Sequence, residues 1–276
     1  MSQDEHFKFV KALAIDLNRN EIKLSSFPDV VVRVRNALDD PDTSGADLAK
    51  ILSLDPVLTS KVLVLANSAA CNPSGVKTDC LATAIGRIGF QKVRTTSISY
   101  AVELLHDSEG LEALKKELKK TWSSGLRLAA MSEAIAQKCT KLDADSAFLA
   151  GLLNQIGVLY IFKKYPEYPN LLQDPDARQG IVDEWAAPIG ENIVGNWDFS
   201  DDVQATLNPA DNDSARVGTD ANLADVVTAA KASLNGASGE LSDMPAARRM
   251  QLTEDKMPSV MEEYEQKLEA LMSSVR

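Results

Sequence analysis

Apolar residues recur along most of this chain at the three- and four-residue spacing of helices. The strict alternation of apolar and polar residues that marks a strand is hardly seen. Ser44 with Asp47, and Asp55 with Pro56, are pairs typical of helix starts, and each opens an apolar segment. Pro28 suits the first turn of a valine-rich helix, although valine favours strands. The pattern predicts an all-α protein.

Polar stretches divide the chain into segments. The stretch "HDSEG" separates a first helical half, about 1–106, from a second half at about 110–235. A polar linker is predicted at 236–258 and a C-terminal amphipathic helix at 259–276. One face of that last helix is predicted to carry Val260, Tyr264, Leu268 and Leu271. The apolar stripe of the first helix, which Ser2 and Glu5 would cap, is predicted to be Phe7, Val10, Ala14 and Leu17.

Composition narrows the classes of function. The 276 residues carry a net charge of −11, which opposes binding to a nucleic-acid backbone. The basic stretch "KKELKK" at 115–120 contains a glutamate and is interpreted as a solvated helix face. The chain start has no signal-peptide pattern, and no apolar run is expected to approach the length of a membrane span. These features predict a cytoplasmic protein that binds neither nucleic acid nor membrane.

The cysteines are interpreted as reduced thiols. There are three of them, and no C-x-x-C pair occurs. Cys71 and Cys80 flank a loop and could pair, but unpaired thiols of a cytosolic protein fit the odd number better. Ser124, Cys139 and Asp143 are interpreted as helix-surface or packing residues, because no histidine base is near them in the sequence.

Two adjacent amides interrupt the most apolar segment of the chain, "AFLAGLLNQIGVLYIF". They are Asn154 and Gln155. Polar groups are costly to bury unless they are hydrogen-bonded, so their presence in this segment needs a reason.

Ordered landmarks make residues 20 to 232 resemble the HDOD domain, a bacterial signalling domain related to the HD-domain phosphohydrolases. "DPVL" opens a helix that "LANSA" closes, "AIGRIGFQKVRTTSIS" follows, and "AFLAGLLNQIGVL" has a family counterpart with an adjacent His-Asp pair. The resemblance implies an HD-domain-like, phosphodiesterase-like helical bundle in two packed helical halves. The signature residues are Asp55, Pro56, Leu65, Ala66, Asn67, Ser68, Trp122, Gly151 and Gly157.

The resemblance also implies that the metal-ligand positions of the HD enzymes are occupied by other residues. In those enzymes the His-Asp pair and further histidines bind a cation that activates water. His6 and His106 are the histidines of this chain, and neither falls at a ligand position. The aligned positions hold Ser124, Asn154, Gln155 and Ala186, with a looser match near Ala210-Asp211. We therefore expect no metal and no cofactor, and we expect the amides to form a hydrogen-bonded polar patch.

The predicted function is non-catalytic signal transduction through a protein partner. The alternatives are a metal-dependent nucleotide phosphohydrolase and a small-ligand or nucleotide sensor that uses the vestigial site. Asn67 is interpreted as a structural amide, with a ligand contact as the alternative. Arg87, Lys92 and Arg94 could form a small basic patch for a nucleotide, but an exposed helix face is favoured.

Overall fold

Helices make up the regular structure of the protein. The computed structural model describes residues 2–19, 29–106, 112–197, 199–208, 220–236 and 244–274, and no strand occurs in these ranges. The prediction of an all-α fold is confirmed. The α-helices are α1 (Ser2–Asn18), α2 (Asp29–Asp39), α3 (Gly45–Leu52), α4 (Pro56–Ala66), α5 (Leu81–His106), α6 (Lys115–Cys139), α7 (Ala144–Leu153), α8 (Ile156–Lys164), α9 (Pro169–Leu172), α10 (Pro175–Asn196), α11 (Asp201–Gln204), α12 (Leu223–Leu234), α13 (Pro245–Arg249) and α14 (Met257–Ser274).

The chain divides into two compact units. Residues 25–104 form one, which we call the inserted unit, and residues 1–24 and 105–276 form the other, the discontinuous unit. The first helix therefore belongs with the second half of the chain, and this differs from the predicted half at 1–106. The tyrosine hydroxyl of Tyr160 on α8 donates a hydrogen bond to Asp16 of α1 at 2.7 Å, and Lys164 pairs with the same carboxylate.

The inserted unit is built from α2 to α5 around an aliphatic core. Its fully buried residues include Leu48, Leu58 and Val62. Two helix starts confirm the predictions made from the sequence. Ser44 Oγ accepts the N–H of Asp47 at 3.2 Å, and Asp55 Oδ1 accepts two N–H groups of the first turn of α4, both at 2.9 Å.

A glycine bends α5. Gly89 has φ +79° and ψ 164°, a backbone conformation that residues with a side chain rarely adopt. The break divides α5 into two helical segments.

In the discontinuous unit, α6 is the central helix. It packs along α7 and also contacts α12 and α14, while α10 packs against α8. The predicted face of α14 points inward at Val260 and Tyr264, both buried, and Leu268 and Leu271 are half-buried. Lys267 of α14 pairs with Glu133 of α6 at 2.6 Å. The C-terminal helix is therefore part of this unit's core.

The apolar stripe of α1 is displaced from the predicted one. Phe9 and Leu13 are fully buried, whereas Phe7 is 67% exposed. Phe9 stacks on Tyr165 with ring centroids 4.9 Å apart, which a count of apolar spacing alone does not reveal. Glu5, the predicted capping residue, instead accepts the N–H groups of Asn170 and Leu171 at 2.9 and 3.0 Å.

Part of the predicted linker is folded. Within 236–258, α13 buries Ala246 and Ala247. Arg249 at its end forms a bidentate ion pair with Asp225, with N–O distances of 3.0 and 2.5 Å. The Asp225 side chain is 6% exposed. Removing one partner of such a pair leaves an uncompensated buried charge, so the pair fixes α13 to α12.

Residues 144–167, which contain α7 and α8, have the length and apolar composition of a membrane-spanning helix. The expectation that no apolar run approaches that length was therefore wrong. The segment is two helices rather than one, and 72% of its apolar window is buried inside the protein. Core helices of globular domains have the same composition.

Two glycines of this helix pair allow backbones to touch. A Cβ atom on Gly157 would lie 1.9 Å from the carbonyl oxygen of Ala186 and 2.9 Å from the nitrogen of Gly190. A Cβ on Gly151 would lie 2.7 Å from the Cα of Ala129. The obstacles are backbone atoms, which cannot move aside as the end of a side chain can. These contacts fix α8 on α10 and α7 on α6.

We expect Gly157→Ala to lower the free energy of unfolding by roughly 3 kcal/mol or more, because α8 and α10 must separate to admit the methyl group. Gly180→Ala is the matched control. Gly180 is exposed inside α10 and its added Cβ meets nothing within 4 Å, so this variant should gain about 0.5–1 kcal/mol from helix propensity. Urea unfolding of both variants measures the difference. Equal midpoints would contradict the close-packing account.

Candidate functional site

The two amides of the apolar segment lie where α7 ends and α8 begins. Asn154 is the C-cap of α7, with its N–H directed to the carbonyl of Gly151, and Gln155 precedes the first turn of α8. Both side chains are half-buried. The amides therefore mark a break between two helices rather than the middle of one buried helix. This position gives each side chain access to groups outside α7 and α8.

Asn154 forms part of the expected polar patch. Its Nδ2 donates to the carbonyl oxygen of Thr206 at 3.0 Å, and the Thr206 hydroxyl donates to the carbonyl of Val203 at 2.7 Å. Thr206 is buried, so its backbone carbonyl needs a protein donor. Asn154 thus ties the end of α7 to the segment that follows α11.

Gln155 is held by packing. A Cβ atom on Gly125 of α6 would lie 3.6 Å from its Cγ, an ordinary van der Waals distance. No hydrogen bond of its amide to another residue is found in the described part of the chain. The prediction that both amides belong to a hydrogen-bonded patch therefore applies to Asn154 alone.

The other aligned positions surround the same helix break. Ala186 touches Gly157, two residues beyond Gln155, through its carbonyl oxygen. Ser124 directly precedes Gly125, the glycine that lies beside Gln155. The side chain of Ser124 is exposed. Ala210 and Asp211 lie outside the described residues. The structure therefore gathers the α6, α7–α8 and α10 positions at one place in the discontinuous unit.

These residues do not fit a divalent metal ion. A catalytic cation needs imidazole or carboxylate ligands, and the assembled positions offer a hydroxyl, two amides and a methyl group. Across the described ranges, no group of three or more His, Cys, Asp or Glu side chains could hold a metal. His6 is half-buried on α1, and the side chain of His106 is outside the described part of the chain.

Other candidate nucleophiles have structural roles. Asp143 caps α7 by accepting the N–H and the hydroxyl of Ser146, both at 2.7 Å. Burial raises the pKa of the Cys139 thiol, which keeps it in the less reactive protonated form. A capping carboxylate and a protonated thiol do not indicate a catalytic nucleophile.

An open depression lies elsewhere in the same unit. It has a volume of about 400 Å³, and its lining is about equally polar and apolar. The lining residues are Leu17, Pro188, Glu191, Asn192, Gly195, Asn196 and Gln204. None of the aligned ligand positions contributes to it.

Asn67 is a structural amide of the inserted unit. It is the C-cap of α4, and its side chain makes two hydrogen bonds with the backbone of Thr78, both 2.8 Å long. Arg87 donates to the carbonyls of Ala66 and Val76, each at 3.0 Å, and to Asn67 Oδ1 at 3.3 Å. Together Asn67 and Arg87 hold the loop between α4 and α5.

The exposed-face interpretation of the basic residues on α5 needs correction. Arg87 is half-buried and committed to the loop, and Arg94 pairs with Asp39 at 2.6 Å. Lys92 is half-buried as well. A signal was available in the sequence, because a loop with several polar backbone groups needs donors from somewhere.

The remaining signature residues of the inserted unit also act structurally. Besides capping α4, Asp55 accepts the hydroxyl of Tyr100 at 3.0 Å. Burial, and then this hydrogen bond to the carboxylate, raise the pKa of Tyr100 to about 12. Ser68 donates to the carbonyl of Leu65 at 2.7 Å, which satisfies one of the last carbonyls of the helix.

Sequence and structure comparisons agree on the kind of protein this chain is similar to. The family model described as HDOD domain matches residues 24–212. A protein of Treponema pallidum (strain Nichols), named only as uncharacterized, is 25% identical over 197 residues, which are 67% of this chain. The chain spans only 37% of the length of that relative.

Crystal structures show the same fold. A protein of Shewanella amazonensis SB2B, provisionally named a metal-dependent phosphohydrolase, superposes with a TM-score of 0.78 at 22% identity, covering 97% of this chain and 99% of its own. An HDOD domain protein of unknown function from Geobacter sulfurreducens gives 0.62 at 19%, covering 89% and 92%. A protein of Marinobacter aquaeolei VT8, provisionally named a signal transduction protein, gives 0.63 at 15%, covering 98% and 66%. The predicted HD-like helical fold is confirmed.

We expect Asn67→Leu to destabilise the protein more than Asn154→Leu does. The first variant removes two hydrogen bonds to Thr78 and an acceptor for Arg87, with a loss of about 1–3 kcal/mol in unfolding free energy. The second removes one bond to a single carbonyl, with an expected loss of about 0.5–1.5 kcal/mol. Urea midpoints for the two variants decide the order, and a reversed order would refute it.

Proposed function

Because the chain belongs to the HDOD domain family, we propose that it is a non-catalytic regulatory protein of bacterial signalling that acts by binding another protein. The observation that carries this proposal is the set of residues at the metal-ligand positions. They are Ser124, Asn154, Gln155 and Ala186. The fold that positions a metal in the HD enzymes is kept, while the groups that would bind the metal are replaced.

The rival function is metal-dependent phosphohydrolysis, the activity in the name of the Shewanella protein. That reaction needs ligands that hold a cation and lower the pKa of its bound water. Asn154 brings no negative charge, and its amide nitrogen is already directed to Thr206. The methyl side chain of Ala186 has no atom that could bind a metal ion, and its backbone carbonyl lies against Gly157. These residues support binding or packing at this place better than hydrolysis.

A small-ligand or nucleotide sensor has less support. An anion site needs arginine, lysine or free backbone N–H groups. Arg87 and Arg94 are engaged within the inserted unit, and the residues around the helix break are neutral. The depression beside α10 is lined by amides and by Glu191, which is unsuited to a phosphate. A protein partner therefore remains the function we propose.

Cellular location and cofactor use follow as further parts of the proposal. We expect a cytoplasmic protein, because its cysteines Cys71, Cys80 and Cys139 are all unpaired and a reducing compartment keeps thiols in that state. We expect no cofactor. Neither a membrane nor a nucleic acid is the proposed partner, because a chain with a net charge of −11 is repelled by anionic surfaces.

We expect the purified protein to show no phosphodiesterase turnover with added Mn²⁺, and no heat above dilution in calorimetric titrations with nucleotide messengers. Affinity capture from source cells, followed by mass spectrometry, should return a protein at near-stoichiometric amounts. The Gly180→Ala variant serves as a folded control in the capture. Metal-dependent turnover, or nucleotide binding at micromolar concentration, would overturn the proposal.

A further inference from the structure

A basic surface lies at the start of α6. It consists of four lysines, which we call the lysine patch: Lys115, Lys116, Lys119 and Lys120. All four are exposed, and in the described part of the chain none has an ion-pair or hydrogen-bond partner. The patch is a local cluster of positive charge in a protein with 40 acidic residues and a net charge of −11.

The glutamate inside the stretch does not neutralise the patch. Glu117 points to α10, where its Oε1 accepts both terminal nitrogens of Arg178 at 3.3 Å. The Arg178 side chain is 13% exposed and the Glu117 side chain 38% exposed, so the carboxylate lies at the edge of the surface with an arginine as its partner. The prediction that "KKELKK" is a solvated helix face is confirmed for the four lysines, while Glu117 pairs with Arg178.

The patch is unfavourable to the helix that carries it. Lysines near a helix N-terminus oppose the positive end of the helix dipole. Lys115 with Lys119, and Lys116 with Lys120, are also like-charged pairs four residues apart, which repel each other on a helix surface. Buried Leu114 and Leu118 hold the opposite face of this helix start in the core, so the lysines remain on the surface in spite of these costs.

We propose that the lysine patch is a docking surface for an acidic segment of a partner protein. This inference rests on the proposed function of protein binding and names the chemistry of the partner. Four ammonium groups spread over six residues of helix, about 9 Å, match a short run of carboxylates at helical spacing. A partner carboxylate supplies the negative charge that Glu117 does not give.

Other anionic occupants fit less well. Membrane attachment needs apolar anchorage beside the positive charge, and none of the large exposed apolar side chains in the described ranges lies on α6. A nucleic acid extends far beyond four lysines and would bring many phosphates near an acidic protein. A short acidic protein segment can contact the patch without that repulsion.

The test is binding of a fluorescent glutamate-rich helical peptide, measured by anisotropy at low salt and again at about 0.3 M salt. We compare Lys116→Glu/Lys120→Glu with a control, Lys77→Glu/Lys141→Glu. The control reverses exposed lysines elsewhere and changes the net charge equally. The patch variant should bind roughly tenfold more weakly or worse, and the control should bind within about twofold of the parent protein. The melting temperature of the patch variant should not fall, because the lysines that it replaces oppose the helix dipole.

Equal losses in both variants, or no loss in either, would overturn the proposal. So would patch-dependent binding of phosphatidylserine vesicles or of single-stranded DNA as tight as that of the peptide. Patch-dependent self-association in sedimentation experiments without the peptide would also contradict it, because the occupant would then be a second copy of this chain. None of these results depends on phosphodiesterase activity, so this inference and the proposed function can fail separately.

Discussion

Direct contact between helix backbones is the constraint on which the discontinuous unit depends. Gly157 meets Ala186 and Gly190 of α10, and Gly151 meets Ala129 of α6, at distances that leave no room for a side chain. These contacts place the break between α7 and α8 next to both neighbouring helices. The residues at that break are therefore held in position by the packing of their helices, whether or not they bind anything.

The positions that the family resemblance aligns with metal ligands have two kinds of contact in this structure. Asn154 retains a polar role by bonding the carbonyl of Thr206, so it adds a link to the segment after α11. Ala186 contributes only backbone contact, and Gln155 packs on Gly125. Charge lies elsewhere in the same unit, because Glu117 pairs with Arg178 and the neighbouring lysines have no carboxylate partner among the described residues. We propose that this basic surface, rather than the helix break, contacts the partner.

Local features could be predicted from the sequence, and long-range ones could not. Ser44 and Asp55 were predictable as helix caps because a cap involves residues two or three positions apart. The burial of Phe9 depends on Tyr165, and the role of Arg249 depends on Asp225, so no local pattern reveals either. The candidate site was located by resemblance, whereas its hydrogen bonds needed the structure.

We propose that the residues at the helix break do not hold a catalytic metal ion. Elemental analysis of the protein after dialysis against Mn²⁺, Fe²⁺ or Zn²⁺ and mild desalting tests this directly. We expect far less than one ion per chain, because amide, hydroxyl and methyl groups do not replace imidazole and carboxylate ligands. About one ion per chain, lost in Asn154→Leu, would contradict it.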